Sequence, residues 1–131
     1  MKVYSPDAFF KVIMPVGSDS QLEEKQKQIQ KIAEQHGIAP HFPSYEDYSD
    51  IHVALQNLRS AEFVLVDLTF ERPSCYYELG LAEAINAKIY LIAAQGTDIH
   101  QTSKRNSVQF YENLQQYPSV VNNILLQDRS T

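Results

Sequence analysis

Two acids stand out by their placement, Asp67 and Glu78. Phe63-Val64-Leu65-Val66-Asp67-Leu68 is a short apolar run that closes on a carboxylate. A loop with Arg72 and Pro73 follows, and Ser74 to Asn86 then reads as a helix with Glu78 in its first turn. Leu81, Ala82 and Ile85 share the helix face of Glu78, so the periodicity turns that carboxylate toward the protein interior. Burial disfavours its charge and the positive end of a helix favours it, which leaves a carboxylate poised to react. Two carboxylates flanking a sugar are what glycosidic bond cleavage uses. One attacks or stabilises the anomeric carbon, and the other moves protons or positions hydroxyls. Each acid also has a structural reading. Asp67 can receive backbone donors of the loop that follows it. Glu78 can act as a capping carboxylate, although Ser74 and Glu78 stand four apart where the capping box needs three.

A second group of polar residues lies near the N-terminus. Pro15-Val16-Gly17-Ser18-Asp19-Ser20 joins an apolar run to a long polar helix. Free backbone N–H groups at that helix start, with the hydroxyls of Ser18 and Ser20, suit a phosphate or a sugar hydroxyl. The loop has neither the lysine of a P-loop nor a G-x-G-x-x-G pattern, which counts against nucleotide triphosphate hydrolysis and ordinary dinucleotide binding. Cys75 has no C-x-x-C partner and reads as a small packing residue. His36, His41, His52 and His100 share no metal-ligand spacing, so no metal and no cofactor is expected. Tyr76 and Tyr77 flank Glu78, and either ring is suited to cover a pocket or stack on a base.

These residues need a scaffold, and the sequence supplies alternating strands and helices. Strands are expected over 9–14, 38–42, 63–68, 88–93 and 108–111. Helices are expected over 21–36, 50–60, 74–86 and 119–128, with Ile51, Leu55 and Leu58 turned inward on the second, and 95–106 reads as an irregular loop. The runs at 63–68 and 88–93 are apolar on both faces, as central parallel strands are. The alternation predicts an α/β, flavodoxin-like three-layer sandwich with a five-stranded parallel sheet in the order 2-1-3-4-5. That order sets the ends of the first and third strands side by side at the switch point, where Met14 to Ser18 and Asp67 to Ser74 form two lips of one crevice.

The length of 131 residues suits a single domain over 1–131, with 1–8 as an N-terminal extension. A net charge of -5 argues against nucleic acid as the partner. No apolar run approaches the roughly 20 residues of a membrane span. The first residues lack the apolar core of a signal peptide, and with a single cysteine a cytoplasmic location is expected.

The stretch Val64-Leu65-Val66-Asp67-Leu68-Thr69, then Arg72-Pro73-Ser74, then Tyr76-Tyr77-Glu78-Leu79-Gly80-Leu81-Ala82 resembles the core of the nucleoside 2-deoxyribosyltransferase-like proteins. Lys11 to Pro15 and Tyr45 to Tyr48 resemble that family more loosely, and the strand–loop–helix layout is also similar to that of TIR domains. The resemblance implies that Glu78 attacks the anomeric carbon and displaces a base. It implies sugar or base contact for Asp67, a ribose or phosphate site at Pro15, Gly17 and Ser18, and substrate contacts from Thr69, Arg72, Ser74 and Tyr77. It further implies a nucleoside, nucleotide or related ribosyl compound as ligand and a homo-oligomer whose neighbour completes the pocket. Enzymes of that family acting on free nucleosides carry one more aspartate before the third strand, whereas Val53-Ala54-Leu55-Gln56-Asn57 holds no acid. A non-catalytic nucleotide sensor and a TIR-like NAD glycohydrolase are the alternative readings.

Overall fold

The architecture was analysed in a computed structural model, which describes residues 1–70, 72–100 and 102–131, apart from the side chain of Tyr48. Glu71, inside the motif from Asp67 to Ala82, and Gln101, inside the 95–106 loop, lie outside the described residues. The elements run β1 (Phe9–Ile13), α1 (Leu22–Gln35), β2 (Ala39–His41), α2 (Glu46–Ser49), α3 (Ile51–Ser60), β3 (Val64–Asp67), α4 (Pro73–Ala84), β4 (Ile89–Ala94), β5 (Gln109–Tyr111) and α5 (Tyr117–Arg129). All strands pair in parallel in the order β2-β1-β3-β4-β5, the order the alternation predicts.

The sheet separates two apolar cores. Phe10, Val12, Leu65 and Ile92 point to one face, where Ile29 and Ala33 of α1 and Val121, Ile124 and Leu125 of α5 cover them. Ile13, Val64, Val66 and Leu91 point to the other, under Leu58 of α3 and Cys75, Leu79 and Ala82 of α4. Both faces of β1, β3 and β4 are thus buried, which is why those strands read as unbroken apolar runs. The short β2 tolerates Pro40 because it lies at the sheet edge.

Several local expectations need correction. Ile51 is 47% exposed, and the fully buried pair on α3 is Ala54 and Leu58. Asp50 is the cap, its side chain accepting from His52 N, so Ile51 occupies the first helical position and faces outward. Within the stretch from Ser18 to Ser20 that leads into α1, Asp19 Oδ1 accepts from Gln21 N at 2.9 Å. A short helix, α2, precedes α3. At the other end of α1, Gly37 takes φ +73, the left-handed conformation that ends helices, and donates to Glu34 O at 3.2 Å. The N-terminal residues dock on the body: Lys2 N donates to Arg129 O, and the buried Tyr4 hydroxyl donates to Asp128 at 2.8 Å.

Candidate functional site

The two lips expected at the switch point do meet. After β1 the chain continues through buried Met14 and Pro15, then turns at Gly17, whose φ of +93 is costly for any residue with a Cβ. Ser18 Oγ donates to Phe70 O at 2.5 Å, and Arg72 Nη1 donates to Val16 O at 3.2 Å. These two bonds clasp the β1–α1 loop to the β3–α4 loop. A Cβ on Gly17 would stand 3.1 Å from Arg72 Nη1, so the glycine gives the guanidinium room to reach across. Phe70, 62% exposed, adopts φ +54, an uncommon conformation for an aromatic residue.

Asp67 is 1% exposed and turns to the α1/α5 side of the sheet. Its neighbours along β3 fix this: Val64 and Val66 belong to the opposite core and Leu65 to this one, so strand alternation sends Asp67 with Leu65. Oδ1 accepts from Thr69 N at 3.0 Å, and Oδ2 accepts from Tyr111 Oη and Tyr117 Oη, both at 3.0 Å. Thr69 Oγ1 in turn receives Ala94 N at 2.7 Å and lies 2.7 Å from Tyr111 Oη. The charge partner is Lys25 of α1, whose Nζ sits 3.7 Å from Asp67 Oδ2 and 2.5 Å from Asp19 Oδ2. The same ammonium lies 5.2 Å from the Tyr111 ring centre and 5.5 Å from that of Tyr117. Burial holds the Asp67 carboxyl above its ordinary range, against the opposing pull of Lys25 and the Thr69 and Tyr117 hydrogen bonds. Burial and the Asp67 charge push both tyrosines well above the usual phenol range.

Glu78 lies in the other layer. It is 3% exposed and shares the buried stripe of α4 with Cys75, Leu79 and Ala82. The inward orientation read from periodicity is what the structure has. Its position along the helix is not as expected, because Pro73 starts α4 and Glu78 falls in the second turn. Proline fits the first helical position, since its missing N–H would be unsatisfied there in any case. The favourable field of the helix start fades within the first turn, so it supports Glu78 less than a first-turn carboxylate. Ser74 is half-buried at the start of the same helix, and Tyr77 is 52% exposed. The structure therefore brings Gly17, Ser18 and Arg72 together but sets the side chains of Asp67 and Glu78 on opposite faces of the sheet.

Asp19, Lys25, Tyr111 and Tyr117 were missed as polar partners of Asp67. Lys25 had a signal: it stands four and eight residues before Ile29 and Ala33, so it lies on the buried stripe of α1. The two tyrosines reach Asp67 from 44 and 50 residues away in sequence, a pairing no local pattern encodes.

A cavity of about 500 Å³ opens beyond this network, at the ends of β3, β4 and β5. Lys25, Thr69 and Tyr111 form part of its floor, with Phe70, Gln95 and Glu112 on its walls. Elsewhere, Asp128 is buried among Tyr4, Tyr90, Lys2 and Lys88 at the opposite end of the sheet. Burial opposes its charge, but the hydrogen bonds of Lys88, Tyr4 and Lys2 prevail and hold its carboxyl below the ordinary value. Lys11 and Asp47 form a further buried pair at 2.6 Å. His41 stacks on Phe9 with ring centres 4.0 Å apart, and burial with the nearby Lys11 charge lowers its pKa. Among the described residues no group of His, Cys, Asp and Glu is placed to hold a metal ion, and no helix is long and apolar enough to cross a membrane.

The sequence matches no protein-family model and no curated protein. Its fold is similar to that of a 2-deoxyribosyltransferase from Bacillus psychrosaccharolyticus, with a TM-score of 0.62 over 90% of this chain and 96% of that one, at 14% identity. It is also similar to part of the lysine decarboxylase LdcF of Francisella novicida, with a TM-score of 0.56 over 98% of this chain at 11% identity. This chain spans 18% of the decarboxylase. At these identities the likeness defines the class of fold: a five-stranded parallel α/β sandwich of deoxyribosyltransferase type.

Proposed function

We propose that this protein cleaves, or transfers, the N-glycosidic bond of a nucleoside or related ribosyl compound, with Glu78 as the nucleophile. The observation that carries this reading is the burial of a carboxylate on α4, just past the end of β3, in a fold shared over almost its full length with a deoxyribosyltransferase. In this reading a Glu78 oxygen bonds to the anomeric carbon as the C–N bond breaks. The bonding pair leaves with the base nitrogen, which takes a proton from water. Water or a second base then displaces Glu78 from the sugar.

Gly17, Ser18, Arg72, Ser74 and Tyr77 would hold the sugar and cover it, with Pro15 and Thr69 supporting the loops from beneath. Arg72 and Ser18 now bond across the two loops, so a ligand that takes these groups must exchange the clasp for its own hydrogen bonds. Asp67, with its donors already supplied by the protein, would act through Thr69 and the loop, as a positioning residue. The exposed Tyr45, Ile51 and Tyr77 favour a homo-oligomer, and the balance of the sequence favours a cytoplasmic enzyme.

A non-catalytic ribosyl-ligand sensor is the second reading, and the burial of Asp67 among Thr69, Tyr111 and Tyr117 favours it, since that carboxylate is engaged by the protein's own donors. The test is base release, followed by chromatography, from a panel of nucleosides, nucleoside monophosphates and NAD. Release by the natural protein and none by Glu78→Ala supports the enzyme. Binding of a panel member without any release establishes the sensor.

A further inference from the structure

The clasp between the two lips is one link of a closed circuit of contacts. Ser18 Oγ donates to Phe70 O at 2.5 Å, and Phe70 follows Thr69 in the chain. Thr69 N donates to Asp67 Oδ1 at 3.0 Å, and Asp67 Oδ2 lies 3.7 Å from Lys25 Nζ. Lys25 Nζ donates to Asp19 Oδ2 at 2.5 Å, and Asp19 directly follows Ser18. The circuit thus passes through both lips and closes on itself. Its two halves differ in exposure. Asp19, Lys25, Asp67 and Thr69 are each 7% exposed or less, whereas Ser18 and Phe70 face solvent.

The two halves also differ in how readily they part. A surface hydroxyl on a backbone carbonyl exchanges its partner for water or a ligand at little cost. A buried ammonium between two buried carboxylates does not, because each separated charge is left without compensation. Lys25 is itself well anchored, since it shares the buried stripe of α1 with Ile29 and Ala33. A ligand that takes Ser18 and Arg72 therefore opens the circuit on its exposed side, while the buried side stays shut. The ammonium answers to both lips at once, so a shift of one carboxylate is felt by the other.

We propose that Lys25 is a positioning residue of the crevice. By holding Asp19 and Asp67 together it fixes the gap between the lips, and so the spacing of Ser18 on one from Arg72 on the other. It acts through the two aspartates and not on the ligand. This role rests on the reading that a ribosyl compound sits between the lips. It adds the element that keeps them in register when the exposed clasp is given up.

Amide hydrogen exchange, followed by NMR, tests the tie without any ligand. The natural protein is compared with Asp19→Asn and Asp67→Asn, each normalised to the core amides of α5. Asparagine keeps an oxygen for the neighbouring backbone N–H, so each variant cuts one charged link at nearly constant shape. Asp19→Asn speeds exchange at Thr69 N, on the other lip, by about threefold or more. Asp67→Asn does the same at Gln21 N, which donates to Asp19. Lys25→Met in the Asp19→Asn, Asp67→Asn background leaves no buried charge unpaired and speeds both amides. With the panel member that the natural protein binds, Asp19→Asn raises KM, or Kd where no base is released, by about tenfold, with any kcat within about twofold. Variants that move only the amide next to the substitution overturn the proposal. So does natural exchange at both amides in the triple variant, or an unchanged KM or Kd in Asp19→Asn. Failure of the natural protein to bind any panel member overturns the ribosyl reading instead, and exchange alone then decides whether Lys25 couples the lips.

Discussion

Tyr117 Oη donates to Asp67 Oδ2 at 3.0 Å, tying the first residue of α5 to the last residue of β3 across 50 positions of sequence. The bond closes a network in which Asp19, Lys25, Thr69 and Tyr111 also take part. Removing the hydroxyl in Tyr117→Phe leaves Asp67 two of its donors and the Lys25 charge. Urea unfolding is expected to show a loss of about 1.5–3 kcal/mol, the ordinary worth of one hydrogen bond to a charged group.

Lys25 is the member whose loss costs most. Lys25→Met leaves Asp19 and Asp67 buried near one another with no cation between them. Breaking a buried ion pair by removing one partner costs about 3–5 kcal/mol. The same substitution in an Asp19→Asn, Asp67→Asn background is expected to cost far less, and the difference measured by urea unfolding gives the coupling directly.

Stability should respond to acid through two aspartates of opposite sign. The Asp128 carboxyl is held below its ordinary value of 3.8, so its contribution is full above that value and is lost as the pH falls through the lower, folded pKa. The Asp67 carboxyl is raised by burial, so its folded form binds a proton more tightly than the unfolded chain does. Its contribution is therefore largest below 3.8 and declines as the pH rises from there through the raised pKa. Asp67→Asn is expected to remove that decline, and Asp128→Asn to flatten the acid limb. Unfolding free energies measured from pH 3 to pH 7 in the two variants check both signs.

The clasp between the loops makes a prediction about backbone. Phe70 holds φ +54, and asparagine tolerates that conformation better than an aromatic residue. Phe70→Asn should stabilise the protein by about 0.5–1 kcal/mol, because the exposed ring gives up little packing. Gly17→Ala acts the other way, at φ +93 and with the new Cβ 3.1 Å from Arg72 Nη1. A loss of about 1–2 kcal/mol is expected for it, and thermal melts of the two variants should shift in opposite directions.

The sheet order was legible in sequence because apolar runs at Phe63 to Leu68 and Lys88 to Ala93 can be satisfied only inside a two-sided parallel sheet. The inward face of Glu78 was legible for a similar reason, since Leu81, Ala82 and Ile85 set the helical period. What periodicity does not carry is which side of the sheet a strand-end residue takes. Asp67 follows Leu65 to the α1/α5 layer, and its partners Lys25, Tyr111 and Tyr117 come from three separate elements. Lys25 was read as one of many polar residues on α1, because a charged side chain in a buried stripe declares itself only once its carboxylates are placed. Glu78 moved from the first to the second turn because Pro73 begins the helix rather than ending the loop.

Base release by Glu78→Gln tests the central claim most directly, because the substitution keeps the shape of the side chain and removes its nucleophilic oxygen. The measurement is single-turnover release from whichever panel member the natural protein cleaves, alongside ligand-induced melting shifts for both proteins. The account predicts that release falls by on the order of 10³-fold or more while the melting shift is retained. Release by Glu78→Gln at the natural rate, or no release by the natural protein from any nucleoside, nucleotide or NAD, would contradict it.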